Sequence, residues 1–254
     1  MNSDLTNKTI LVTGASRGIG RAIAVEFSNL GARVAIHFHQ NKDAAEKTLS
    51  FLSGSDHLLV QQDLSRFDDL EKLSADLFNK TGGIDVLVNN AGIYISHPVE
   101  TSTFESWRIS WENTINTNLL GPAHLSFAMA RQMIKNGGGK IINITSRGAF
   151  RGEPTAPAYG TSKAGLNAFS QSMAQALAPH NIFVYAVAPG FVDAGMAADV
   201  LSSPEGDSIR AQSPMGRAAK AEEVARAAAF LACEGTDYMT GCIIDVNGAS
   251  YLRS

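Results

Sequence analysis

The chain alternates between short runs of aliphatic residues and longer stretches in which apolar residues recur at helical spacing. The short runs predict buried strands at Thr9–Thr13, Arg33–Phe38, His57–Gln61, Ile84–Val88, Lys140–Thr145, Ile182–Ala188 and Cys242–Val246. The longer stretches predict helices that include Arg21–Leu30, Phe67–Lys80, Leu119–Lys135, Ala164–Leu177 and Ala221–Cys233. Strands that alternate with helices need long crossovers, so the pattern predicts an α/β fold, a doubly wound and mainly parallel sheet of about seven strands with helices on both faces.

No repeat, low-complexity tract or charged linker divides the chain, so residues 1–254 are predicted to form one domain. The least regular stretch, residues 189–215, mixes Pro and Gly with Met, Leu and polar residues. We expect this stretch to form a lid over a substrate site, because irregular segments of this length in compact domains are often functional.

Composition narrows the possible partners. A net charge of −3 offers no basic field for nucleic acid or an anionic membrane, which favours a small-molecule partner. Cys233 and Cys242 form no CxxC pair, and the six histidines show no paired ligand spacing, so we predict neither disulfides nor a metal. The polar N-terminus and the absence of an apolar run of bilayer length predict a cytoplasmic protein.

A glycine-rich segment, Thr13-Gly14-Ala15-Ser16-Arg17-Gly18-Ile19-Gly20, connects the first predicted strand to a helix. Glycine permits a tight turn and a close backbone approach to a pyrophosphate, and the N–H groups at the start of the helix attract the phosphates. The GxxxGxG spacing meets the usual GxGxxG fingerprint only loosely. From this segment alone, dinucleotide binding and a purely structural turn both remain open.

Four further segments place polar residues in a recurring order, namely Asn89-Asn90-Ala91-Gly92, Asn118, Ser146 and Tyr159-Gly160-Thr161-Ser162-Lys163. Together with the glycine-rich segment and Pro189-Gly190, they make the chain resemble the classical short-chain dehydrogenase/reductases over essentially its whole length. The tail, Tyr238-Met239-Thr240-Gly241 through Val246-Asn247-Gly248, is most similar to the β-ketoacyl carrier-protein reductase branch. This resemblance implies NAD(P)-dependent hydride transfer.

Tyr159 and Lys163 are four residues apart and would share one face of a helix. A nearby ammonium group stabilises a phenolate, so Lys163 is expected to lower the pKa of Tyr159 and activate it for proton transfer. Without the other motifs, Tyr-x-x-x-Lys would more often be a surface pair.

The resemblance implies a catalytic set made of Asn118, Ser146, Tyr159 and Lys163. In this set Lys163 also binds the nicotinamide ribose, Ser146 holds the substrate oxygen near Tyr159, and Asn118 orders a water in a proton relay. Alternatively, Ser146 could cap the turn after its strand, and Asn118 could satisfy buried backbone groups.

The residues expected to contact the cofactor are Gly14, Ser16, Arg17, Gly18, Ile19, Gly20, His39, Asp63, Asn90, Ala91, Gly92, Tyr159, Lys163, Pro189, Gly190 and Val192. The second strand ends in His37-Phe38-His39-Gln40, with no acid to accept from a ribose 2′-hydroxyl. By resemblance, Arg17 and His39 are placed to meet a 2′-phosphate, which favours NADP(H) over NAD(H). If Arg17 is simply solvated and His39 merely ends a strand, discrimination would be weak.

The chain departs from the family in the lid and at the carrier-docking pair. Ala194 stands where many relatives have a threonine that holds the nicotinamide carboxamide, a task that backbone N–H groups at Phe191 or Val192 could take over. Arg131 matches one of two arginines used to dock a carrier protein, but Gln175 replaces the second, so Arg131 could equally be a solvated helix residue.

Two arginines, Arg147 and Arg151, follow Ser146 closely and could favour an anionic substrate or a phosphopantetheine arm, although loop arginines are more often solvated. The function predicted best is an NADPH-dependent carbonyl reductase that accepts 3-oxoacyl thioesters. An alcohol or sugar dehydrogenase running toward oxidation would use the same site, and a dinucleotide sensor without turnover is a third alternative.

The resemblance also implies a homotetramer in which neighbouring subunits cover apolar helix faces. The residues predicted to be covered are Leu125, Met129, Met133, Phe169 and Met173. The alternative is that these residues pack against the sheet of their own chain.

Overall fold

A computed structural model of the protein describes residues 4–195 and 198–253. Its seven strands are β1 (Thr9–Val12), β2 (Arg33–Phe38), β3 (Leu58–Gln61), β4 (Val86–Asn89), β5 (Gly139–Ile144), β6 (Ile182–Pro189) and β7 (Ile243–Val246). They form one sheet in the order β3-β2-β1-β4-β5-β6-β7, and every neighbouring pair is parallel. The predicted strands and the predicted fold class are confirmed, with differences of one or two residues at most strand ends.

The helices are α1 (Gly18–Asn29), α2 (Lys42–Leu49), α3 (Leu70–Thr81), α4 (Phe104–Ile115), α5 (Gly121–Lys135), α6 (Gly148–Arg151), α7 (Pro157–Leu177), α8 (Ala198–Leu201), α9 (Gly206–Arg210) and α10 (Ala221–Ala232). The apolar pattern singled out neither α2, which is short and polar, nor α4, whose first residue Phe104 is 84% exposed. A π-helical segment, Asn116–Leu120, joins α4 to α5.

The two faces of the sheet carry separate apolar clusters, because successive strand residues point to opposite sides. In β1, Ile10 and Val12 join the cluster covered by α1 and α10, whereas Leu11 joins the cluster covered by α3, α5 and α7. Both faces are therefore covered by helices, which is the doubly wound arrangement that the sequence predicts.

The apolar residues predicted to lie between subunits are mostly core residues of the single chain. Leu125, Met129 and Met133 are at most 1% exposed and pack against the sheet, and Met173 packs against the same cluster. Their spacing of four residues places them on the sheet-facing side of α5, so the prediction of a subunit-facing role was wrong for these residues. Large apolar side chains that are exposed on α4 and α5 are instead Phe104, Ile109, Phe127 and Ile134.

The predicted lid, residues 189–215, contains α8 and α9, and its residues 196–197 lie outside the described residues. Its first part is tied to the start of α10, since Asp193 N donates to Ala219 O at 2.8 Å and Ala219 N donates to Phe191 O at 2.9 Å. Across residues 4–195 and 198–253, no helix has both the length and the apolar character needed to cross a membrane. The same residues hold no cluster of three or more potential metal ligands from His, Cys, Asp and Glu.

Candidate active site

The loop between β1 and α1 offers a cradle for a phosphate. Gly14 has a φ of +64°, and a Cβ atom there would lie 2.9 Å from the Cα of Ala91. The N-cap residue of α1, Arg17, makes no side-chain capping bond, and the first turn of the helix contains no acidic residue. The backbone N–H groups and the positive end of the helix dipole therefore remain for an anion, which fits the pyrophosphate of a dinucleotide.

The Asn-Asn-Ala-Gly segment after β4 holds this loop in place. Thr13 Oγ1 accepts hydrogen bonds from Asn90 N at 2.9 Å and from Ala91 N at 3.0 Å. In return, Asn90 Nδ2 donates to Thr13 O at 2.9 Å and to Gly14 O at 3.2 Å. These bonds bridge β1 and β4, where the strand order reverses and where doubly wound folds bind ligands.

His37, at the end of β2, is a supporting residue to which the sequence analysis gave no role. Its Nδ1 accepts from Gly14 N at 3.1 Å and its Nε2 donates to Gln62 O at 3.0 Å, which fixes one neutral tautomer. Burial lowers the pKa of His37 to about 4, against a small opposing effect of the bond to Gln62. Neutral His37 thus orients the backbone of the glycine-rich loop, and the available signal was a polar residue on an inward position of a buried strand.

The site expected for the 2′-phosphate is less basic than the sequence suggests. The end of β2 carries no acid, but Asp63, two residues after β3, brings Oδ2 to 3.5 Å from His39 Nε2. Burial opposes ionisation of Asp63, yet hydrogen bonds from Ser65 together with the charges of His39 and Arg66 lower its pKa. The imidazole of His39 therefore already has the Asp63 carboxylate as a partner. Arg17, by contrast, is exposed and has no ion-pair partner in the described part of the chain.

The helix α7 brings Tyr159 and Lys163 together beside the end of β5. Lys163 Nζ lies 5.8 Å from the centre of the Tyr159 ring and donates to Ile144 O at 2.8 Å. The phenol of Tyr159 is hydrogen-bonded with Ser146, and Ser146 Oγ also accepts from Gly148 N at 3.0 Å. Ser146 thus caps its turn and reaches Tyr159 as well, so the two interpretations of this residue are compatible.

Burial controls both ionisable members of this pair. It raises the pKa of Tyr159 to about 12, although the bond with Ser146 opposes the rise. It also lowers the pKa of Lys163 to about 8. The expectation that Lys163 lowers the pKa of Tyr159 was wrong for the protein alone, because desolvation of both groups dominates and the ammonium group is directed to Ile144 O. Tyr159 is therefore a protonated phenol at neutral pH.

Asn118 lies in the π-helical segment and is fully buried. Its Oδ1 accepts from Ile93 N at 2.8 Å, and its Nδ2 donates to Ile93 O at 2.9 Å and to Ser162 Oγ at 3.2 Å. A Cβ atom on Gly92 would lie 3.3 Å from Asn118 Oδ1 and 3.5 Å from Lys163 Nζ, so the three residues meet at one point. The backbone-satisfying role of Asn118 is confirmed, and its role in ordering a water stays a prediction.

Two further residues of the loop after β4 contact α7 and were missed by sequence reasoning. The ring of Tyr94 meets the ring of Tyr159 edge-on, with 5.1 Å between centroids. His97 donates from Nδ1 to Ile95 O at 2.8 Å and accepts at Nε2 from Ala158 N at 3.3 Å, which fixes the start of α7. Nothing in the local sequence pattern distinguishes these aromatic residues from ordinary core positions.

Pro189 and Gly190 end β6 beside the serine loop, since Arg147 N donates to Pro189 O at 2.9 Å. Val192 pairs with Ala219, and Ala194 N donates to Val192 O at 2.8 Å. A Cβ atom on Gly18 would lie 3.3 Å from Gly195 Cα, so the segment predicted to be a lid borders the glycine-rich loop. The predicted cofactor residues that follow β1, β2, β3, β4 and β6 therefore lie at the carboxyl edge of the sheet.

The arginines that the sequence left open differ in their surroundings. Arg147 is 3% exposed, which shows that its interpretation as a solvated loop residue was wrong. Arg131 is exposed on α5 and lies over the ring of Phe127, 5.7 Å from its centroid.

Comparison with known proteins agrees with this arrangement. Residues 14–249 match the family profile described as enoyl-(acyl carrier protein) reductase, a profile of short-chain dehydrogenase/reductases. The chain belongs to the short-chain dehydrogenase/reductase family. As a member of that family it is an NAD(P)-dependent oxidoreductase that transfers a hydride between nicotinamide and a carbonyl or alcohol.

Relatives of this short-chain dehydrogenase/reductase match it over nearly its whole length. The 3-oxoacyl-[acyl-carrier-protein] reductase FabG of Aquifex aeolicus is 37% identical over 254 residues, covering 99% of this chain and 100% of the relative. FabG of Haemophilus influenzae is 39% identical over 248 residues, covering 98% and 100%. A solved structure from Agrobacterium tumefaciens, provisionally described as a gluconate dehydrogenase, is 31% identical with a TM-score of 0.92 and covers 98% of both chains.

Proposed function

We propose that this protein reduces carbonyl compounds with NADPH and that 3-oxoacyl thioesters are its leading substrate class. The observation that carries the proposal is the half-buried phenol of Tyr159, which lies beside Ser146 and 5.8 Å from Lys163 Nζ and whose raised pKa keeps it protonated at neutral pH. A protonated donor beside the expected position of the substrate oxygen is the form that carbonyl reduction requires. The FabG relatives, at 37% and 39% identity, support the thioester substrate.

When bound, the nicotinamide supplies the hydride for reduction and accepts it in the reverse direction. Ser146 Oγ and the Tyr159 hydroxyl hold the carbonyl oxygen of the substrate between them, so that the reacting atoms stay aligned. The carbonyl carbon gains a hydride with its electron pair, and the carbonyl oxygen gains the phenolic proton. The products are an alcohol and the Tyr159 phenolate, which the Lys163 ammonium stabilises until solvent returns the proton.

An alcohol or sugar dehydrogenase is the second candidate, and it is supported by the gluconate dehydrogenase description of one structural neighbour. Oxidation needs Tyr159 as a phenolate, and a pKa of about 12 in the protein alone opposes that form. A sensor without turnover is disfavoured, because Ser146, Tyr159 and Lys163 adjoin in a chain that retains all four expected catalytic residues.

For the cofactor, we infer a preference for NADP(H). Arg17 offers an exposed guanidinium at the start of α1, and β2 ends without an acid that would repel a 2′-phosphate. His39 adds a positive charge only when protonated, and part of that charge is taken up by Asp63 at 3.5 Å.

We also infer a homotetramer in the cytoplasm. The exposed apolar residues Phe104, Ile109, Phe127 and Ile134 on α4 and α5 support subunit contacts, and two free thiols suit a reducing compartment. Light scattering tests the assembly, and a monomeric mass at micromolar concentration would contradict it.

The function is tested by following nicotinamide absorbance with a panel of substrates. The panel contains acetoacetyl-N-acetylcysteamine as a 3-oxoacyl thioester, neutral ketones, secondary alcohols and sugars, each with NADPH or NADP⁺. We expect reduction of the thioester and slow oxidation of the alcohols at neutral pH. Oxidation of a sugar without reduction of any thioester would favour the second candidate, and cofactor binding without any turnover would favour a sensor.

A further inference from the structure

Two guanidinium groups beside the catalytic serine converge on one neutral oxygen. Arg147 Nη2 donates to Gln212 Oε1 at 2.5 Å, and Arg151 Nη1 donates to the same oxygen at 3.1 Å. Gln212 lies just after α9, in the predicted lid. Guanidinium groups bind carboxylates more strongly than they bind amides, so an amide oxygen is a weak partner for two cations.

The charge of Arg147 is not balanced by a carboxylate in the described part of the chain. The side chain is 3% exposed, lies 4.9 Å from the centroid of the Phe191 ring and makes no ion pair. The charged groups that face it are Arg151 and Glu153, and Arg151 Nε is itself 3.8 Å from Glu153 Oε1. Burial, and then repulsion by Arg151, lower the pKa of Arg147 to about 10, while Glu153 acts in the opposite direction. Buried charges are normally paired, but the nearby Glu153 carboxylate pairs with Arg151, and Arg147 itself has no ion pair in the described part of the chain.

The position of Arg147 relates this charge to the reaction. Arg147 directly follows Ser146, its backbone N–H donates to Pro189 O, and its guanidinium covers the ring that follows Gly190. It therefore lies between the serine that reaches Tyr159 and the loop expected to contact the nicotinamide.

We propose that Arg147 and Arg151 bind a carboxylate carried by the substrate, and that Gln212 Oε1 occupies its position until the substrate displaces it. This inference rests on the proposed carbonyl reduction at Ser146 and Tyr159, and it adds that a carbonyl substrate with a carboxylate is preferred over a neutral one of the same size. The competing explanation is that the bonds to Gln212 only fasten the lid to α6. A fastening of that kind would affect charged and neutral substrates equally.

The test compares levulinate with levulinamide, which have the same size and the same ketone but differ in charge. We expect kcat/KM with NADPH to be at least about tenfold higher for levulinate, because a charge-assisted pair is lost with the amide. Arg147→Met and Arg151→Met should each bring this ratio close to one. Arg226→Met, which removes an exposed arginine from α10, serves as the control and should leave the ratio unchanged.

Substitutions of Gln212 separate the two explanations. Gln212→Ala removes the competing acceptor and should raise the ratio of levulinate to levulinamide, whereas Gln212→Glu places a permanent carboxylate on the arginines and should lower it. If both variants change the two substrates by the same factor, the bonds only fasten the lid and the proposal is overturned. It is also overturned if the acid and the amide are equally good substrates of the wild type.

Two controls distinguish a failure of the proposed anion site from a failure of the proposed reductase activity. Reduction of acetoacetyl-N-acetylcysteamine without a preference for levulinate would contradict the anion site and leave the reductase intact. If no ketone is reduced, calorimetry of both ligands with the NADP⁺-loaded protein decides, since equal binding overturns the anion site and tighter binding of levulinate supports it. An equal loss of NADPH affinity in Arg147→Met would assign the arginine to the cofactor and overturn the proposal.

Discussion

Lys163 Nζ donates its hydrogen bond to Ile144 O and lies 5.8 Å from the centre of the Tyr159 ring. Lys163 is buried and Tyr159 is half-buried, and desolvation moves their pKa values in opposite directions, to about 12 for Tyr159 and about 8 for Lys163. In the protein without bound cofactor, both side chains therefore favour their neutral forms more strongly than they would in water. This is the state that the proposed mechanism requires, in which Tyr159 donates a proton to the substrate oxygen and becomes a phenolate only as it does so.

Lys163→Met is expected to lower both turnover and NADPH affinity, because one ammonium stabilises the phenolate and, as inferred, binds the ribose. The same change should raise the free energy of unfolding by about 2 kcal/mol near pH 7, since a desolvation cost of about 3 kcal/mol disappears and one hydrogen bond is lost. Thermal unfolding measures this gain, with the exposed Lys72→Met as control.

The pH dependence of that gain follows from the lowered pKa of Lys163. Between about 8 and the ordinary value of 10.5, the unfolded chain binds more protons than the folded chain. The contribution of Lys163 to the free energy of unfolding is therefore highest above pH 10.5, where Lys163 is neutral in both states. It decreases as the pH falls from 10.5 to about 8. Lys163→Met should lack this loss, and a variant less stable than the wild type at neutral pH would contradict the account.

Gly14→Ala is expected to weaken NADPH binding by at least about tenfold, because its Cβ would lie 2.9 Å from Ala91 Cα in the phosphate cradle. Gly82→Ala is a matched control. Gly82 also has a positive φ, of +80°, but a Cβ atom there meets nothing within 4 Å. Both variants share the backbone strain, so calorimetry should find weaker cofactor binding only for Gly14→Ala. Equal affinities in the two variants would remove the loop from the cofactor site.

His37→Leu is expected to reduce NADPH affinity. It should also make the free energy of unfolding depend less steeply on pH in the acid range. The pKa of His37 is lowered from 6.5 to about 4. The folded chain therefore binds fewer protons than the unfolded chain in that window, and wild-type stability is lost as pH falls through it, by about 3 kcal/mol in all. Urea unfolding at several pH values measures the slope. The exposed His180→Leu is the control, and an unchanged slope in His37→Leu would contradict the assignment.

The preference for NADPH over NADH is expected to depend on Arg17, because its guanidinium can pair with a 2′-phosphate. The ratio of the two kcat/KM values should fall in Arg17→Gln at every pH. His39→Asp, at an exposed position beside Asp63, should shift the preference toward NADH. A preference for NADH throughout in the wild type would contradict the choice of cofactor.

The sequence predicted the parallel sheet because buried strands and amphipathic helices leave strong periodic patterns, as β1 and α5 show. It placed Tyr159 and Lys163 on one helix face because their spacing alone determines that geometry. It did not predict the buried contacts that connect distant segments. The bonds of His37 to Gly14 and Gln62, and the approach of Asp63 to His39, depend on strand register.

The spacing of residues in the sequence also could not predict how strongly a side chain is desolvated. The pattern of Tyr159 and Lys163 suggested a phenol activated by a neighbouring charge, but the extent of burial reversed the direction of the pKa change. Arg147 illustrates the same point, because a residue expected in solvent proved to be 3% exposed. Leu125 belongs to an apolar face of α5 that the sequence predicted correctly. Whether that face contacts the sheet of its own chain or another subunit could be decided only from the packing.

The most direct test of the account is a paired measurement of turnover and cofactor affinity in Tyr159→Phe. This change removes only the phenolic hydroxyl, so kcat for acetoacetyl-N-acetylcysteamine with NADPH should fall by at least about 1,000-fold while the dissociation constant of NADPH changes by less than about threefold. Wild-type turnover in this variant would contradict the assignment of Tyr159 as the proton donor, and with it the proposed mechanism.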